Sequence, residues 1–147
     1  MKNGMLMKNS SLLLDTHAWI WVCLGHDKMA KSTTRKAIEK AFREHRLAVS
    51  AISLWEVAML EAKGRLALAE PCQDWLEQAV AKMQIEVVPL SIDIAVESSR
   101  LPGGFHGDPA DRLIVATARK NRYTLVTQDS LILSYGKQGL VNTVACY

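Results

Sequence analysis

Short, uninterrupted apolar runs alternate with longer amphipathic segments along this sequence. Such runs lie within residues 12–14, 47–49, 86–90 and 123–127, and residues 139–143 hold a weaker fifth one. A strand that is apolar at every position is typical of a parallel sheet whose two faces are both covered. Alternation with helices builds βαβ units, in which helices cover the sheet on both sides. The sequence therefore predicts an α/β fold with a central parallel sheet of about five strands.

The segments between the runs carry helix signals at their ends. Gly25 and Gly64 follow two of them as helix stops, and Pro71 suits the first position of another helix. Ser50 or Ser53 can cap the helix that ends at Lys63. We expect further helices over residues 17–24, 31–45, 92–101 and 108–120.

The length and composition fit one domain with its own core. The chain has 147 residues, of which 49% are hydrophobic, and no apolar run approaches the roughly 20 residues of a membrane span. We expect a tail over residues 1–10 and a single domain over 11–147. Three widely spaced cysteines match no zinc motif, which favours a reduced, cytoplasmic protein.

Acidic residues follow the predicted strands or open the helices next to them. Asp15 comes directly after the first strand, and Asp129 comes two residues after the fourth. Glu56 lies in the early turns of the helix after the second strand, and Asp108 and Asp111 open a later helix. Ligands of parallel sheets gather at the carboxyl ends of the strands. We therefore expect Asp15, Glu56, Asp111 and Asp129 near one edge of the sheet.

Each of these acids also has an ordinary structural explanation when it is considered alone. Asp15 is a common residue type after a strand, and Asp129 can cap the segment that follows it. Glu56 can complete a capping box with Ser53, three residues earlier. The two acids of the later helix suit its N-cap and its positively polarised first turn.

Four carboxylates at one edge would repel one another, and a divalent cation removes that conflict. Hard oxygen ligands select Mg²⁺ or Mn²⁺, and Mg²⁺ usually takes one or two carboxylates together with waters and phosphate oxygens. Such a site suits phosphodiester hydrolysis, because the metal lowers the pKa of a water and stabilises charge on the phosphate. The sequence offers no Ser/His/Asp or Cys/His set and no phosphate-binding glycine loop.

Four motifs occur in a fixed order along the chain. They are Leu-Leu-Asp-Thr-His-Ala at 13–18, Ser-x-x-Ser-x-x-Glu at 50–56, Gly-Asp-Pro-Ala-Asp-Arg-Leu-Ile at 107–114 and Leu-Val-Thr-Gln-Asp at 125–129. In this order and spacing they resemble the PIN-domain nucleases, and most closely the VapC-like toxins of type II toxin–antitoxin systems. The resemblance extends from about residue 12 to the C-terminus.

The resemblance implies a three-layer α/β/α PIN-like domain around the parallel sheet. It implies a Mg²⁺- or Mn²⁺-dependent endoribonuclease that acts on RNA, and it implies a homodimer or a higher even oligomer. A cognate antitoxin protein that occludes the site is the implied partner.

The resemblance also implies roles for individual residues. Asp15 and Asp111 match the principal metal ligands, and Glu56 and Asp129 complete the catalytic and metal-binding acids. Asp108 is an additional acid that only part of the family shares. Three hydroxyl residues match positions that support the ligands: Thr16, Ser53 and Thr127.

Basic residues concentrate outside these motifs. Residues 28–46 hold seven basic against two acidic residues, which favours phosphate steering about as strongly as a solvated helix face. We expect Lys31, Arg35 and Arg112 to bind RNA, Arg112 being nearest the acids in sequence. The four tryptophans are expected in the core or in dimer contacts rather than as base-stacking residues.

Two other functions stay open at this stage. A PIN-like module could bind RNA or a protein without cutting, although the intact acids argue against it. A phosphatase that forms an aspartyl phosphate also places Asp after its first strand, but it needs a second Asp two residues later, where His17 stands.

Overall fold

A computed structural model describes residues 10–147, and all five strands in that range belong to one parallel sheet. Each strand is three or four residues long and overlaps one of the apolar runs. The strands are β1 (Leu12–Leu14), β2 (Leu47–Ser50), β3 (Glu86–Val88), β4 (Thr124–Thr127) and β5 (Thr143–Ala145).

Eight helices connect and cover the strands in the described part of the chain. They are α1 (Thr16–Leu24), α2 (Asp27–Ala30), α3 (Thr33–Arg43), α4 (Ala51–Ala62), α5 (Cys72–Lys82), α6 (Ile92–Ser99), α7 (Pro109–Asn121) and α8 (Ser130–Lys137).

The strand order β3-β2-β1-β4-β5 places β1 at the centre of the sheet. The chain moves outward from β1 to β2 and β3, and then crosses to the other side of β1 to form β4 and β5. The sheet therefore reverses its direction of winding between β1 and β4, which are direct neighbours with Leu14 opposite Val126. Ligands of such sheets bind beyond the carboxyl ends of the strands at this reversal. Asp15 and Asp129 follow the two strands that flank it.

Two apolar cores, one on each face of the sheet, make the three layers. Leu14, Val49 and Val126 point into the first core, where Trp19 and Trp75 pack from α1 and α5. On the opposite face, alternate strand residues pack against α6, α7 and α8. The predicted α/β/α architecture with a parallel sheet of five strands is confirmed.

The structure corrects three predicted boundaries. The helix expected over residues 31–45 begins at Thr33, because Ser32 caps it by accepting a hydrogen bond from the backbone N–H of Arg35. The short helix α2 precedes it and was not predicted. Pro71 is the N-cap of α5 rather than its first residue. The fifth strand covers residues 143–145 instead of 139–143, because residues 139–142 form a turn before the sheet edge.

Some of the other expectations from the sequence agree with the structure and others do not. The tail predicted over residues 1–10 lies outside the described residues except for Ser10. None of the helices within residues 10–147 combines the length and apolarity that crossing a lipid bilayer requires. Trp19 and Trp75 are buried as expected, but Trp55 is 55% exposed and Trp21 is only partly buried.

Candidate metal site

An acid pocket of about 350 Å³ opens at the carboxyl edge of the sheet, beside the reversal between β1 and β4. All four predicted catalytic acids line it, together with Asp108. Within the described residues, no lysine or arginine is among its lining side chains. The lining residues are Asp15, Thr16, His17, Trp21, Glu56, Asp108, Asp111, Ile114, Gln128 and Asp129.

Asp15 sits at the base of this pocket and also begins α1. Its Oδ1 accepts a hydrogen bond of 2.8 Å from the backbone N–H of Ala18, so the carboxylate is the N-cap of the helix. Its Oδ2 accepts a short hydrogen bond from the hydroxyl of Thr127 at the end of β4. Only 9% of Asp15 is exposed, so its position is fixed from two sides.

Asp129 is tied to Asp15 through Thr127. The backbone N–H of Asp129 donates to Thr127 Oγ1 over 3.0 Å, while the same hydroxyl donates to Asp15. The Asp129 carboxylate caps α8 by accepting a hydrogen bond of 3.0 Å from the backbone N–H of Ile132. One buried hydroxyl thus sets the relative position of two acids on neighbouring strands.

Glu56 reaches the pocket from the second turn of α4. Its Oε1 accepts a short hydrogen bond from Thr16 Oγ1, and Thr16 and Ser53 share a buried hydrogen bond of 2.9 Å between their hydroxyl oxygens. Ser50, not Ser53, caps α4, by accepting from the backbone N–H of Ile52. The capping box considered for Ser53 and Glu56 is therefore wrong, and both side chains are turned toward Thr16.

Asp108 and Asp111 enter from the start of α7. Asp108 is the N-cap and accepts a hydrogen bond of 2.8 Å from the backbone N–H of Asp111. Gly107 makes this approach possible, because a Cβ there would collide with the ring of Phe105 and lie 3.0 Å from the Cβ of Asp111. Glycine is needed at this position for close packing of the loop against the helix.

The pocket disfavours ionisation of three of its acids, Asp15, Glu56 and Asp111. Burial raises the pKa of Asp15 and of Glu56, although hydrogen bonds from Thr127 and Thr16 oppose the rise. Burial, followed by repulsion from Asp108 and Asp129, raises the pKa of Asp111 to about 7. Since no lysine or arginine of the described chain lines the pocket, a bound cation is the natural counter-charge for these carboxylates.

The donor set fits a hard divalent cation. All the acids offer carboxylate oxygens, the ligand type that Mg²⁺ and Mn²⁺ prefer. Within residues 10–147, no three His, Cys, Asp or Glu side chains already stand as close together as a complete protein cage requires. Mg²⁺ does not need such a cage, because it is usually held by one or two carboxylates, with waters and phosphate oxygens as its other ligands.

The three basic residues predicted to bind RNA do not line the pocket. Arg112 donates to the backbone carbonyls of Ser98 and Phe105, so its guanidinium braces the loop before α7. Arg112 lies four residues after Asp108 on the same helix face, a spacing that suits an ion pair, but the two side chains do not form one. Arg35 pairs with Glu39 on α3 at 3.1 Å, and Lys31 is exposed on the neighbouring turn.

Four lining residues are not among the predicted site residues: His17, Trp21, Ile114 and Gln128. Trp21 lies four residues after His17 on the same face of α1, a spacing that could have indicated a shared surface. Gln128 lies between Thr127 and Asp129, and its Oε1 accepts hydrogen bonds from the backbone N–H groups of Cys146 and Tyr147. That link to the C-terminus gives no signal in the local sequence, because it depends on how β5 pairs.

Known proteins resemble this chain both in sequence and in fold. The PIN domain family matches residues 12–137. Ribonuclease VapC22 of Mycobacterium tuberculosis is 36% identical over 126 residues, which cover 86% of this chain and 92% of that protein.

Solved structures share the fold at lower identity. VapBC2 from Rickettsia felis, bound to a DNA fragment from its promoter, aligns with a TM-score of 0.66 at 18% identity and covers 91% of this chain and 97% of that one. A toxin-antitoxin complex from Klebsiella pneumoniae aligns with a TM-score of 0.63 at 20% identity, covering 93% and 98%. The family match spans four of the five strands and all four acid-bearing motifs, and the resemblance expected from the motifs is confirmed: this chain belongs to the PIN-domain family.

Proposed function

We propose that this protein is a Mg²⁺- or Mn²⁺-dependent endoribonuclease that hydrolyses phosphodiester bonds of RNA. The observation that carries the proposal is the acid pocket, in which five carboxylates meet without a lysine or arginine from the described chain. The 36% identity to a protein named as a ribonuclease supports the same activity. A pocket of this kind attracts a divalent cation, and the cation in turn attracts phosphate.

Asp15 and Asp111 are the proposed principal metal ligands, and Glu56 and Asp129 complete the site with Asp108 at its rim. A bound Mg²⁺ or Mn²⁺ supplies Lewis acidity that activates water and neutralises phosphate charge. The chain's own hydroxyl groups position the acids: Thr127 bonds to Asp15 and to the backbone of Asp129, and Thr16 bonds to both Glu56 and Ser53. These hydroxyls keep the carboxylate oxygens directed into the pocket rather than toward one another.

We also propose that the protein acts as the toxin of a toxin–antitoxin pair. A structural neighbour with the same fold is a toxin-antitoxin complex, and the sequence relative carries a VapC name. An antitoxin that covers the acid pocket would stop cleavage by excluding RNA.

We further propose a cytoplasmic homodimer, or a higher even oligomer, which light scattering would detect as an even multiple of 16.3 kDa.

The direct test is cleavage of total RNA by the purified protein with Mg²⁺ or Mn²⁺, with and without EDTA. We expect cleavage only with metal. Asp15→Asn and Asp111→Asn should each reduce the rate by at least about 100-fold, because losing a ligand exceeds the 10- to 100-fold typical of its supporting groups. Asparagine is chosen at position 15 because it retains the N-cap that α1 needs.

Asp74→Asn is the matched control, since Asp74 is an exposed acid on α5 that does not line the acid pocket. It should cleave like the wild type. Cleavage that persists in EDTA, or that survives both pocket variants, would contradict the metal mechanism. RNA binding without any cleavage would favour a non-catalytic PIN-like module instead.

A further inference from the structure

Three aromatic side chains form a continuous ridge at one side of the acid pocket. The ring centroids of Trp21 and His26 lie 5.0 Å apart, and those of Trp21 and Tyr147 lie 6.1 Å apart. The rings of His26 and Tyr147 are within 11° of parallel, with centroids 6.2 Å apart. We call Trp21, His26 and Tyr147 the aromatic ridge. Tyr147 is 46% exposed, so the ridge is open to a ligand.

The ridge separates two cavities of different character. Trp21 belongs to the wall of the acid pocket. Tyr147 belongs to the wall of a second, open cavity of about 600 Å³, which Lys28, Lys31 and hydroxyl residues also line. We call this second cavity the lysine groove. The aromatic ridge therefore joins the walls of both cavities, so a strand that lies along it reaches the acid pocket and the lysine groove.

The acid pocket itself holds the ridge in place. Gln128 lines the acid pocket, and its Oε1 accepts hydrogen bonds from the backbone N–H groups of Cys146 at 2.9 Å and of Tyr147 at 3.4 Å. Both partners are N–H donors, so the side-chain atom of Gln128 that faces them must be its oxygen rather than its NH₂ group. The backbone of Tyr147 is thus fixed to the residue between Thr127 and Asp129.

We propose that the aromatic ridge stacks an unpaired base of the RNA strand, next to the phosphate that enters the acid pocket. The neighbouring phosphate on the far side of that base would lie in the lysine groove, where Lys28 and Lys31 are exposed. This proposal rests on the proposed function and names the single-stranded substrate segment that the site selects.

The alternation of charge and aromatic surface favours RNA over a protein partner. The acids that can hold a metal, the aromatic rings and the lysines follow one another across the surface. Phosphate, base and phosphate follow one another in the corresponding order along an RNA strand. Lys28 now lies over the Tyr147 ring, with its Nζ 5.1 Å from the centroid. Such a contact at an exposed site changes an equilibrium only about 2- to 5-fold, whereas base stacking on an aromatic side chain changes affinity about 5- to 150-fold. A base therefore displaces Lys28, which is then free to pair with phosphate.

The test compares two labelled oligonucleotides of equal length and charge in the presence of Mg²⁺. One is a 2′-O-methyl oligouridylate, and the other has the same backbone with abasic units at its central positions. Fluorescence anisotropy measures each affinity, and gel analysis after the titration checks that the strands are intact. We expect the full-length protein to bind the base-bearing strand at least about 5-fold more tightly.

Tyr147→Ala should remove most of this preference for bases, while its affinity for the abasic strand stays near that of the wild type. Tyr147→Phe should keep the preference, because the ring remains. His26→Ala is a second ridge variant and should reduce the preference. Phe42→Ala is the control: Phe42 is 40% exposed on α3 and belongs to neither the acid pocket nor the lysine groove.

Equal binding of both strands by the wild type would overturn the proposal. So would an equal loss for both strands in Tyr147→Ala, since that result indicates a charge or folding effect. A ridge variant that weakens binding to a partner protein but keeps its preference for bases would also overturn it. The binding assay requires no chemistry, so a failure here with intact metal-dependent cleavage rejects only the ridge. Absent cleavage with intact pocket acids rejects the proposed nuclease.

Discussion

Single hydroxyl groups organise the acids of this protein. Thr127 and Thr124 lie on the same strand, and both are buried, but their hydroxyls differ in what they contact. Thr127 Oγ1 joins Asp15 to the backbone of Asp129, whereas Thr124 Oγ1 has no hydrogen-bond partner in the described part of the chain. Comparing the same substitution at Thr127 and at Thr124 therefore separates the contribution of a hydrogen-bonded hydroxyl from the effect of replacing a buried threonine.

Thr127→Val should destabilise the protein by about 1–3 kcal/mol, because it leaves the Asp129 N–H without an acceptor and Asp15 with one donor fewer. Cleavage should fall by about 10- to 100-fold, as for other groups that support a metal ligand. Thr124→Val should be neutral or slightly stabilising, since it removes an unsatisfied buried hydroxyl. Urea denaturation and RNA cleavage assays measure both effects. Equal losses in the two variants would show that the Thr127 contacts have no special role.

Asp111 should lower the stability of the metal-free protein at neutral pH. Its pKa is raised from 3.8 to about 7, so the folded state binds this proton more readily than the unfolded chain does. Ionisation therefore costs stability as the pH rises from about 4 through 7. The raised pKa corresponds to about 4 kcal/mol, and solvent screening at this half-buried group reduces it to about 1–2 kcal/mol.

Asp111→Asn should accordingly melt about 3–6 °C higher than the wild type at pH 8 in EDTA. The difference should be smaller at pH 6, where the wild-type carboxyl is largely protonated. Thermal melts at both pH values test this expectation. A difference that does not depend on pH would mean that charge repulsion is not its source.

At the scale of elements, Arg112 couples the end of α6 to the start of α7. Its guanidinium bonds to the carbonyls of Ser98 and Phe105, and α6 and α7 pack closely against each other. Arg112→Met should therefore destabilise the fold by about 2–3 kcal/mol through the loss of two charge-assisted hydrogen bonds. Chemical denaturation measures the change, with exposed Lys36→Met as the control. Normal stability combined with weaker RNA binding would instead support the RNA-binding role first expected for Arg112.

The sequence predicted the strands well because burial on both faces demands uninterrupted apolar runs. Residues 12–14 and 47–49 match β1 and β2 almost residue for residue. The prediction failed where that signal is weak. β5 is only partly buried at the edge of the sheet, and α2 is a four-residue helix, too short to show a repeating apolar pattern.

The candidate site was also largely visible in the sequence, because its acids sit at strand ends and helix starts. Asp15, Asp108 and Asp129 all proved to be N-caps. That interpretation was predicted for Asp108 and Asp129, whereas Asp15 was expected only as a residue that follows a strand. Trp21 and Gln128 carry no carboxylate, so a search for acids does not find them. The link from Gln128 to Cys146 and Tyr147 depends on the pairing of β5.

At the scale of the whole molecule, metal binding should raise stability, because the folded state assembles the acids from four separate segments. Mg²⁺ at 100 times its Kd stabilises a one-site protein by about 2.7 kcal/mol, or about 5–11 °C at this chain length. Thermal melts with increasing Mg²⁺ measure the shift. Asp15→Asn should abolish most of it, and Asp74→Asn should retain it. A shift of equal size in both variants would place the stabilising ion elsewhere.

The strand order explains why one protein of this size can hold such a site. The sheet reverses between β1 and β4, so acids far apart in sequence meet beyond two neighbouring strands. α4 and α7 then add Glu56, Asp108 and Asp111 from the two sides. No local pattern in the sequence gives this order, because it is a property of how distant segments pair.

Three helices begin at the acid pocket, and an aspartate caps each of them. Capping needs only an oxygen acceptor, which asparagine supplies equally well, whereas holding a cation needs the charge. Under the proposed metal mechanism, a single nucleotide change from the aspartate codon at position 15 to an asparagine codon would therefore silence the site and leave the fold intact. Evolution of this fold can convert a cutting protein into a purely binding one in one step, without passing through an unfolded intermediate form.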